Sequence, residues 1–346
     1  MTAAGDAVRQ RVRLRDVAKR AGVAPSTASA VLNGRAEEAR IAPPTQERVR
    51  AAAAELDYRP NLAARNLRSH TSRIVGLVSD AIAAEPYAGE MVRGAYAAAL
   101  THDRLLVIAE TDGSRSVEDD MVRGMLDRQI DGLVYGCLFT RRVQLSTAVT
   151  ELPVVLLNCL AEPLPGPAVI PAEVGGGREA ARGLLEAGHR DGIYVIGKRP
   201  REVLAAGRRL RGIRAELDAG GGVITGLVDS EWSPESGRAA VTELLAHARP
   251  AALICLNDRI ALGAYQAIQQ AGLRIPEDIS VLGFDDLYIS QYINPPLTTV
   301  RQPMRQMGRM AMETLLQLFA GVESGNEVRV PGELIVREST APPKES

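Results

Sequence analysis

The sequence predicts two units of different class: a small all-α helix-turn-helix unit at the front, and an α/β body of two doubly wound lobes behind it. Three observations carry this. Apolar residues from Leu14 to Leu32 fall at i, i+3, i+4 spacing on both sides of Gly22, the mark of two short amphipathic helices. From Ile74 onward, β-rich apolar runs alternate with amphipathic stretches, which is how parallel sheets covered by helices are encoded. Charge divides at the same place: residues 1–73 hold 14 Lys and Arg against 7 acids, a formal +7, while the remainder holds 27 against 35, or −8. A basic unit on an acidic body suits contact with a polyanion, because each cation near a phosphate releases condensed counterions.

In the first unit, Leu14, Val17, Ala18 and Ala21 make the inner stripe of one helix, and Ala28, Val31 and Leu32 that of a second. Gly22-Val23-Ala24 separates them. The glycine provides the permissive backbone of a tight turn, Val23 fills the gap between the helices, and Pro25 suits a first helical turn. Ser26, Thr27 and Ser29 set short hydroxyls on the second helix, where phosphates and base edges would lie. A third helix is expected from about Pro44 to Leu56. Pro60 then restricts the chain, Asn61 is a natural N-cap, and Leu67 is an apolar residue amid basic ones.

The body opens with strand IVGLVSD at 74–80, a helix from about Glu85 to Leu100, a strand at 104–112, a helix reaching Arg128, and strands in DGLVYGCL and LPVVLLN. From about Pro171 a second series follows: helix, GIYVIGK, helix, GGVITGLVD, helix, AALICLN, helix and ISVLGFDD. Two series make two lobes. Ligands of open α/β sheets lie beyond the carboxyl ends of the strands. Those ends carry Asp80, Asn158, Asn257 and Asp285, with Tyr87 on the following helix, Arg209 near a helix start and Trp232 after VDSE. Carboxylates, amides and a guanidinium hydrogen-bond a polyhydroxylated molecule, and an indole covers the apolar face of a sugar ring. Asp258, Asp286 and His189 are expected to be structural.

With 46% hydrophobic and 24% charged residues, the chain is neither disordered nor fibrous. Aromatics at 3% leave the cores to aliphatic side chains. Three cysteines (Cys137, Cys159, Cys255) without CxxC or Cys/His ligand spacing predict neither disulfides nor a metal site, and fit a reducing cytoplasm. No apolar run reaches the roughly 18–20 residues of a membrane span, and MTAAGDAVRQRVRLRD lacks the apolar segment of a secretory signal. GxSxG, GxxxxGKS/T and HExxH are absent, and Gly175-Gly176-Gly177 lacks the strand and spacing of a dinucleotide fingerprint. Neither catalysis nor a cofactor is expected.

The stretch LRDVAKRAGV-PST-S-VLN, then TQERVRAAAAELDYRPN and LAARNLR, resembles the lac-repressor-like (LacI/GalR) family of bacterial transcription factors. The likeness continues through AGHR (187–190), NDRIALGAYQAIQQAGLRIPEDISVLGFDD (257–286), PPLTTVRQP (295–303) and VREST (336–340), nearly the whole chain. It implies a helix-turn-helix DNA-binding domain at 1–60, a hinge helix and linker at 61–73, and a periplasmic-binding-protein-like effector and dimerisation domain at 74–340. The first lobe would span about 74–170 and 301–330, the second about 171–300 and 331–340. The helix from Pro25 would enter the major groove, residues 61–68 would become helical on DNA, and Leu67 would wedge into a minor-groove step.

The resemblance thus assigns DNA contacts to Arg15, Pro25, Ser26, Thr27, Ser29, Asn33, Arg35, Asn61, Ala64, Arg65 and Leu67. It assigns effector contacts to Arg209, Trp232, Asn257 and Asp285, which Asp80 and Asn158 join from their strand ends and Tyr87 from the following helix. Three departures from the family pattern stand out. Ala30 takes the place where many members carry a base-reading arginine. Arg13 and Ala24 replace the usual Ser or Thr caps, leaving Asp16 to serve the first helix. GRAEEARIA (34–42) is longer than the usual loop and offers Arg35 or Arg40 as a substitute contact.

The expected function is that of a homodimeric, sequence-specific transcriptional regulator, a repressor released from a near-palindromic double-stranded operator by a small ligand, a sugar by the residue types. The ending APPKES brings no heptads, so a dimer is expected rather than a tetramer. Two alternatives stay open: a co-repressor-dependent regulator whose ligand tightens DNA binding, and a ligand-binding module with weakened DNA specificity. A secreted sugar-binding protein would share the body but not the front unit.

Overall fold

The computed structural model describes residues 12–58, 71–81, 86–198, 203–322 and 325–344. It divides into two compact units, residues 1–72 and 73–346. In the first, α1 (Leu14–Ala21), α2 (Pro25–Leu32) and α3 (Pro43–Glu55) pack around Val17, Ala18, Ala28, Val31, Val49 and Ala52. Small residues at the contact let three short helices approach closely enough to share one core. Gly22 ends α1 at φ +65°, a left-handed turn that a side chain would resist. With no Ser or Thr at the cap, the Asp16 carboxylate accepts the Arg13 N–H at 2.8 Å and caps α1 from within. Residues 34–42 form successive turns pinned by buried Ala36. The expected hinge helix lies outside the described residues.

In the second unit, β1 (Ile74–Ser79), β2 (Leu105–Glu110), β3 (Gly132–Val143), β4 (Val154–Ala161) and β5 (Ala168–Pro171) join β11 (Glu327–Val330) in one sheet. Its order is β11-β5-β4-β3-β1-β2 and its pairs are parallel. The other sheet holds β6 (Ile193–Gly197), β7 (Ile224–Asp229), β8 (Ala252–Cys255), β9 (Ser280–Asp285), β10 (Thr298–Arg301) and β12 (Glu333–Ile335). Its order is β12-β10-β9-β8-β6-β7, parallel except between β10 and β12. The helices, in chain order, are α4 (Pro86–Thr101), α5 (Arg115–Asp127), α6 (Glu173–Glu186), α7 (Leu204–Ala219), α8 (Pro234–His247), α9 (Asp258–Gln270) and α10 (Met304–Phe319). Buried aliphatic residues seal α4, α5 and α10 onto the first sheet and α6 to α9 onto the second. The chain changes lobe between β5 and α6, between β10 and α10, and between β11 and β12.

Glycines set how closely paired helices approach. A Cβ on Gly177 of α6 would fall 2.1 Å from the Arg209 carbonyl oxygen, and one on Gly212 of α7 would fall 2.0 Å from that of Val174. No side chain fits there, and the resulting backbone contact draws Glu173, in the first turn of α6, against Arg209 of α7. Gly94 and Gly308 permit the same approach between α4 and α10. The triple-glycine run therefore ends in a packing residue. β5, β10, β11 and β12, of three or four residues each, are too short for an apolar alternation to announce them.

Candidate functional site

Between the lobes, the carboxyl ends of β4 and β9 and the first turns of α4, α6 and α7 converge on a cavity of about 20 Å³. Its walls are Tyr87, Leu138, Phe139, Thr140, Asn158, Glu173, Ala205, Arg209, Trp232, Asp285 and Met304. Asn158 (φ +58°), inside β4 where its pairing with β3 shifts register, and Asp285 (φ +106°), at the end of β9, occupy left-handed backbone. Non-glycine residues hold such conformations against strain, and strain of this kind gathers at functional sites.

Arg209, 5% exposed, is the centre of the polar network. Its Nε donates to Glu173 Oε2 at 2.7 Å, its Nη2 to Glu173 Oε1 at 3.2 Å and to Asp285 Oδ1 at 3.3 Å, and its Nη1 to the Leu256 carbonyl. The guanidinium carbon lies 4.3 Å from the centre of the Phe284 ring, a cation–π contact that fixes its plane. Burial opposes the charge, but the carboxylates of Glu173 and Asp285 outweigh it, so the guanidinium is held protonated more firmly than in water. Burial pushes Asp285 up to about 6, with Arg209 pulling it down and Glu173 adding to the rise.

Tyr87 Oη donates to Asp285 Oδ1 at 3.3 Å. Burial and the Asp285 charge raise its phenol well above the ordinary range, so it remains a donor at any working pH. Glu173 also accepts from Gln302 Nε2 at 3.2 Å and Thr140 Oγ1 at 3.5 Å. Tyr87 and Thr140 belong to the first lobe, Arg209 and Asp285 to the second, and Glu173 and Gln302 to the connections, so the network spans the cleft. Beside it Phe139 and Trp232 stack across the lobes, ring centres 6.0 Å apart and planes 22° from parallel.

The structure brings Tyr87, Asn158, Arg209, Trp232 and Asp285 together and sets Asp80 and Asn257 behind them. β3 loses register with β4 between Gly136 and Arg141, and two residues hold that bulge. Asn158 Nδ2 donates to the carbonyls of Cys137 (3.0 Å) and Leu138 (2.9 Å), while its Oδ1 accepts from Thr140 Oγ1 (2.6 Å). Asp80 accepts the Leu138 N–H (2.9 Å) and pairs with Arg141 (2.8 Å). Together they present Phe139 and Thr140 to the cavity. Asn257 caps α9 by accepting the Ile260 N–H (2.8 Å), and its Nδ2 donates to the Trp232 carbonyl (3.4 Å), steadying the indole.

Asp258 is buried and accepts from the Leu287 N–H, Ser290 and Thr299; burial and the Asp285 charge push it up to about 7. Asp286 pairs with Arg301 and Arg337, and His189 bonds Ser280 and the Ala341 carbonyl. Sequence reasoning missed Glu173, Thr140, Phe139 and Gln302. Only Glu173 carried a signal, as the lone acid in the first turn of a helix directly after β5. A larger hollow of about 870 Å³ shares Tyr87, Asp285 and Met304 with the inner cavity and is lined in addition by Arg93, Arg259, Arg301 and Arg305; Glu173 and Arg209 line the inner one.

On the first unit, Pro25 and Ser26 are exposed and Thr27, Ser29 and Ala30 half-buried along α2. Ala24 supplies no side-chain cap, which leaves first-turn N–H groups of α2 available to a phosphate. Asn33 turns back on its own helix, its Nδ2 donating to the Ser29 carbonyl at 2.7 Å. Arg15 lies 3.8 Å from Asp16 with its side chain 70% exposed. Arg35 is exposed just past α2, its N–H bonded to the Ala30 carbonyl at 2.9 Å. Asn61, Ala64, Arg65 and Leu67 lie outside the described residues. Among the described residues, no helix is long and apolar enough to cross a membrane, and no group of three or more His, Cys, Asp or Glu is placed to hold a metal ion.

A basic helix-turn-helix unit followed by a two-lobed domain with a polar interlobe cavity defines a DNA-binding regulator that answers to a small ligand. Residues 13–61 match the bacterial regulatory proteins of the lacI family, and residues 181–340 the periplasmic binding protein-like domain. The ribose operon repressor of Haemophilus influenzae is 33% identical over 308 residues, covering 88% of this chain and 91% of that protein. The HTH-type transcriptional repressor PurR of Aliivibrio fischeri is 33% identical over 340 residues, 95% and 98% of the two chains. The lac repressor dimer bound to operator and the anti-inducer ONPF superposes with a TM-score of 0.80 at 28% identity, covering 96% of this chain and 100% of that one. The chain belongs to the LacI family: it is a ligand-modulated, DNA-binding regulator of transcription.

Proposed function

We propose that this regulator is a homodimeric repressor that a small sugar, bound between the lobes, releases from a near-palindromic operator. The observation that carries the ligand class is the cavity itself, where Asp285 has Oδ2 to accept a hydroxyl proton, Tyr87 has its oxygen as an acceptor, Arg209 keeps one uncommitted N–H, and Phe139 with Trp232 offers ring faces to apolar C–H groups. A volume of about 20 Å³ is far below the roughly 300 Å³ at which ligand pockets begin. Binding therefore parts the lobes or the two rings, which links ligand occupancy to the angle between the lobes. That change is passed on through residues 61–73 to the reading heads, and the coupling is reciprocal.

Dimerisation is supported by apolar surface: Tyr96 and Leu100 on α4 are exposed, as are Tyr288 and Tyr292, whose rings meet at 4.8 Å. Two recognition helices about one DNA turn apart read a palindrome far better than one. In DNA reading, Ser26, Thr27 and Ser29 contact the duplex from α2, Arg15 and Asn33 flank them, Arg35 compensates for Ala30, and Asn61, Ala64, Arg65 and Leu67 act in the minor groove. The chain works in the cytoplasm, beside the chromosome, and is not an enzyme. Selection of genomic fragments by the purified protein, sequenced with and without candidate sugars, tests this reading. One palindromic motif lost on adding sugar supports it; a motif gained on adding ligand establishes the co-repressor mechanism in its place, and salt-sensitive binding without a motif refutes sequence-specific reading.

A further inference from the structure

The network around Arg209 has an uneven charge balance. Glu173, 2% exposed, bridges Nε and Nη2 of Arg209 with both of its oxygens, and Asp285 takes the other reach of Nη2. With Nη1 on the Leu256 carbonyl, four of the five guanidinium N–H groups are committed within the protein. A phosphate or carboxylate brought by a ligand would find no free two-pronged donor there. Among the described residues lining the cavity, Arg209 is the one cationic side chain, against the carboxylates of Glu173 and Asp285. Asp285 Oδ1 serves both Tyr87 and Arg209, while its Oδ2 accepts no hydrogen bond from a described residue and is open to a hydroxyl donor.

We propose that Glu173 sets the charge class of the effector. As a built-in counter-ion it occupies the guanidinium and leaves the described lining of the site with a net negative charge, so the cleft takes neutral polyhydroxylated molecules and rejects phosphorylated or carboxylated ones. The proposal rests on the cleft being the effector site. Its physical basis is that a third negative charge at contact distance in a water-poor cavity is repelled strongly, whereas hydroxyls can donate to either carboxylate. Glu173 acts here as a specificity-determining residue through Arg209, and the same geometry also positions the guanidinium over Phe284.

The test uses the full chain and matched probes at constant ionic strength: D-ribose with D-ribose 5-phosphate, D-glucose with D-glucose 6-phosphate and D-gluconate, and inorganic phosphate. Binding is read by calorimetry and by thermal shift for wild type, E173Q and E173D. In wild type, the neutral member of any pair that binds is expected to be tighter by at least roughly tenfold. E173Q narrows that ratio by about tenfold and becomes stabilised by inorganic phosphate, while E173D, which keeps the charge, keeps the exclusion. If E173Q does not fold, D285N makes the same change of charge and is expected to narrow the ratio in the same direction. A charged member binding wild type as tightly as its neutral parent overturns the proposal, as does an E173Q protein with an unchanged ratio and no response to phosphate. If no sugar of either kind binds, the sugar reading of the cleft fails, and the phosphate comparison between wild type and E173Q still decides the charge rule.

Discussion

The two functional regions solve opposite problems. On the helix-turn-helix unit the described residues assigned to DNA are exposed or half-buried and stand on α2 and its margins, with Arg15 on α1 and with Pro25 and Ser26 open to solvent. In the interlobe cavity the polar groups are buried or half-buried and largely paired with one another, and Tyr87 and Asp285 meet from 198 residues apart. An exposed face needs only the right side chains in register, because water satisfies them until DNA arrives. A buried site must hold its charges in pairs, because an unpaired carboxylate away from water is expensive. Hence a change on the exposed reading face is expected to cost little in folding, while Arg209, proposed as a ligand contact, also pairs two carboxylates of the cleft.

This contrast is broken most sharply by Arg209→Met. The substitution strands Glu173 and Asp285 as buried carboxylates, so unfolding by denaturant should show a loss of about 3–5 kcal/mol, and the response of operator binding to ligand should vanish. Unchanged stability would mean that the network is not the keystone described. Leu67→Ala addresses the other region. Gel shifts should show specific operator affinity weakened about tenfold or more, the scale of one lost specific contact, with ligand affinity measured by calorimetry unchanged. An equal loss of both would show that the two regions are not separable in this way.

Trp232→Ala is a smaller change. Removing the indole face should weaken sugar binding by roughly tenfold at most and leave DNA affinity without ligand where it was, as fluorescence anisotropy can check. The smallest effect concerns pH. Burial raises Asp258 to about 7, so between the ordinary carboxylate range near pH 4 and pH 7 the folded protein holds a proton that the unfolded chain has released. Its contribution is complete below that range and is lost as the pH rises through 7. Replacement by Asn should therefore flatten the dependence of thermal stability on pH over this interval relative to wild type; parallel curves would contradict the assignment.

How much could be read from the sequence follows the same division. The helix-turn-helix was legible because Val17, Ala18, Gly22 and Pro25 report packing, turn and cap within a dozen contiguous residues. The alternating body was legible because long apolar strands repeat. The chemistry of the cleft was legible where a strand end carries a polar residue, as at Asp285, and where the family resemblance supplied positions, as at Arg209 and Trp232. Glu173 was hidden because its partner is fixed by tertiary contact: Gly177 and Gly212 bring α6 onto α7, and no local pattern states which helix will approach which. Asp80 and Asn257 lie at strand ends as expected, yet they act behind the cavity, on the β3 bulge and on the Trp232 carbonyl. The alternation of strands places such residues near the cleft without fixing which way each side chain turns.

In the proposed mechanism a ligand between the lobes and DNA on the reading heads are coupled through Arg209. The direct measurement is a thermodynamic cycle on the full chain, once fragment selection has yielded an operator: operator affinity with and without a binding sugar, and sugar affinity with and without operator, in wild type and Arg209→Met. The same coupling factor is expected along both routes in wild type, and none in the variant. A variant that still releases operator on adding sugar, by the wild-type factor, would contradict it.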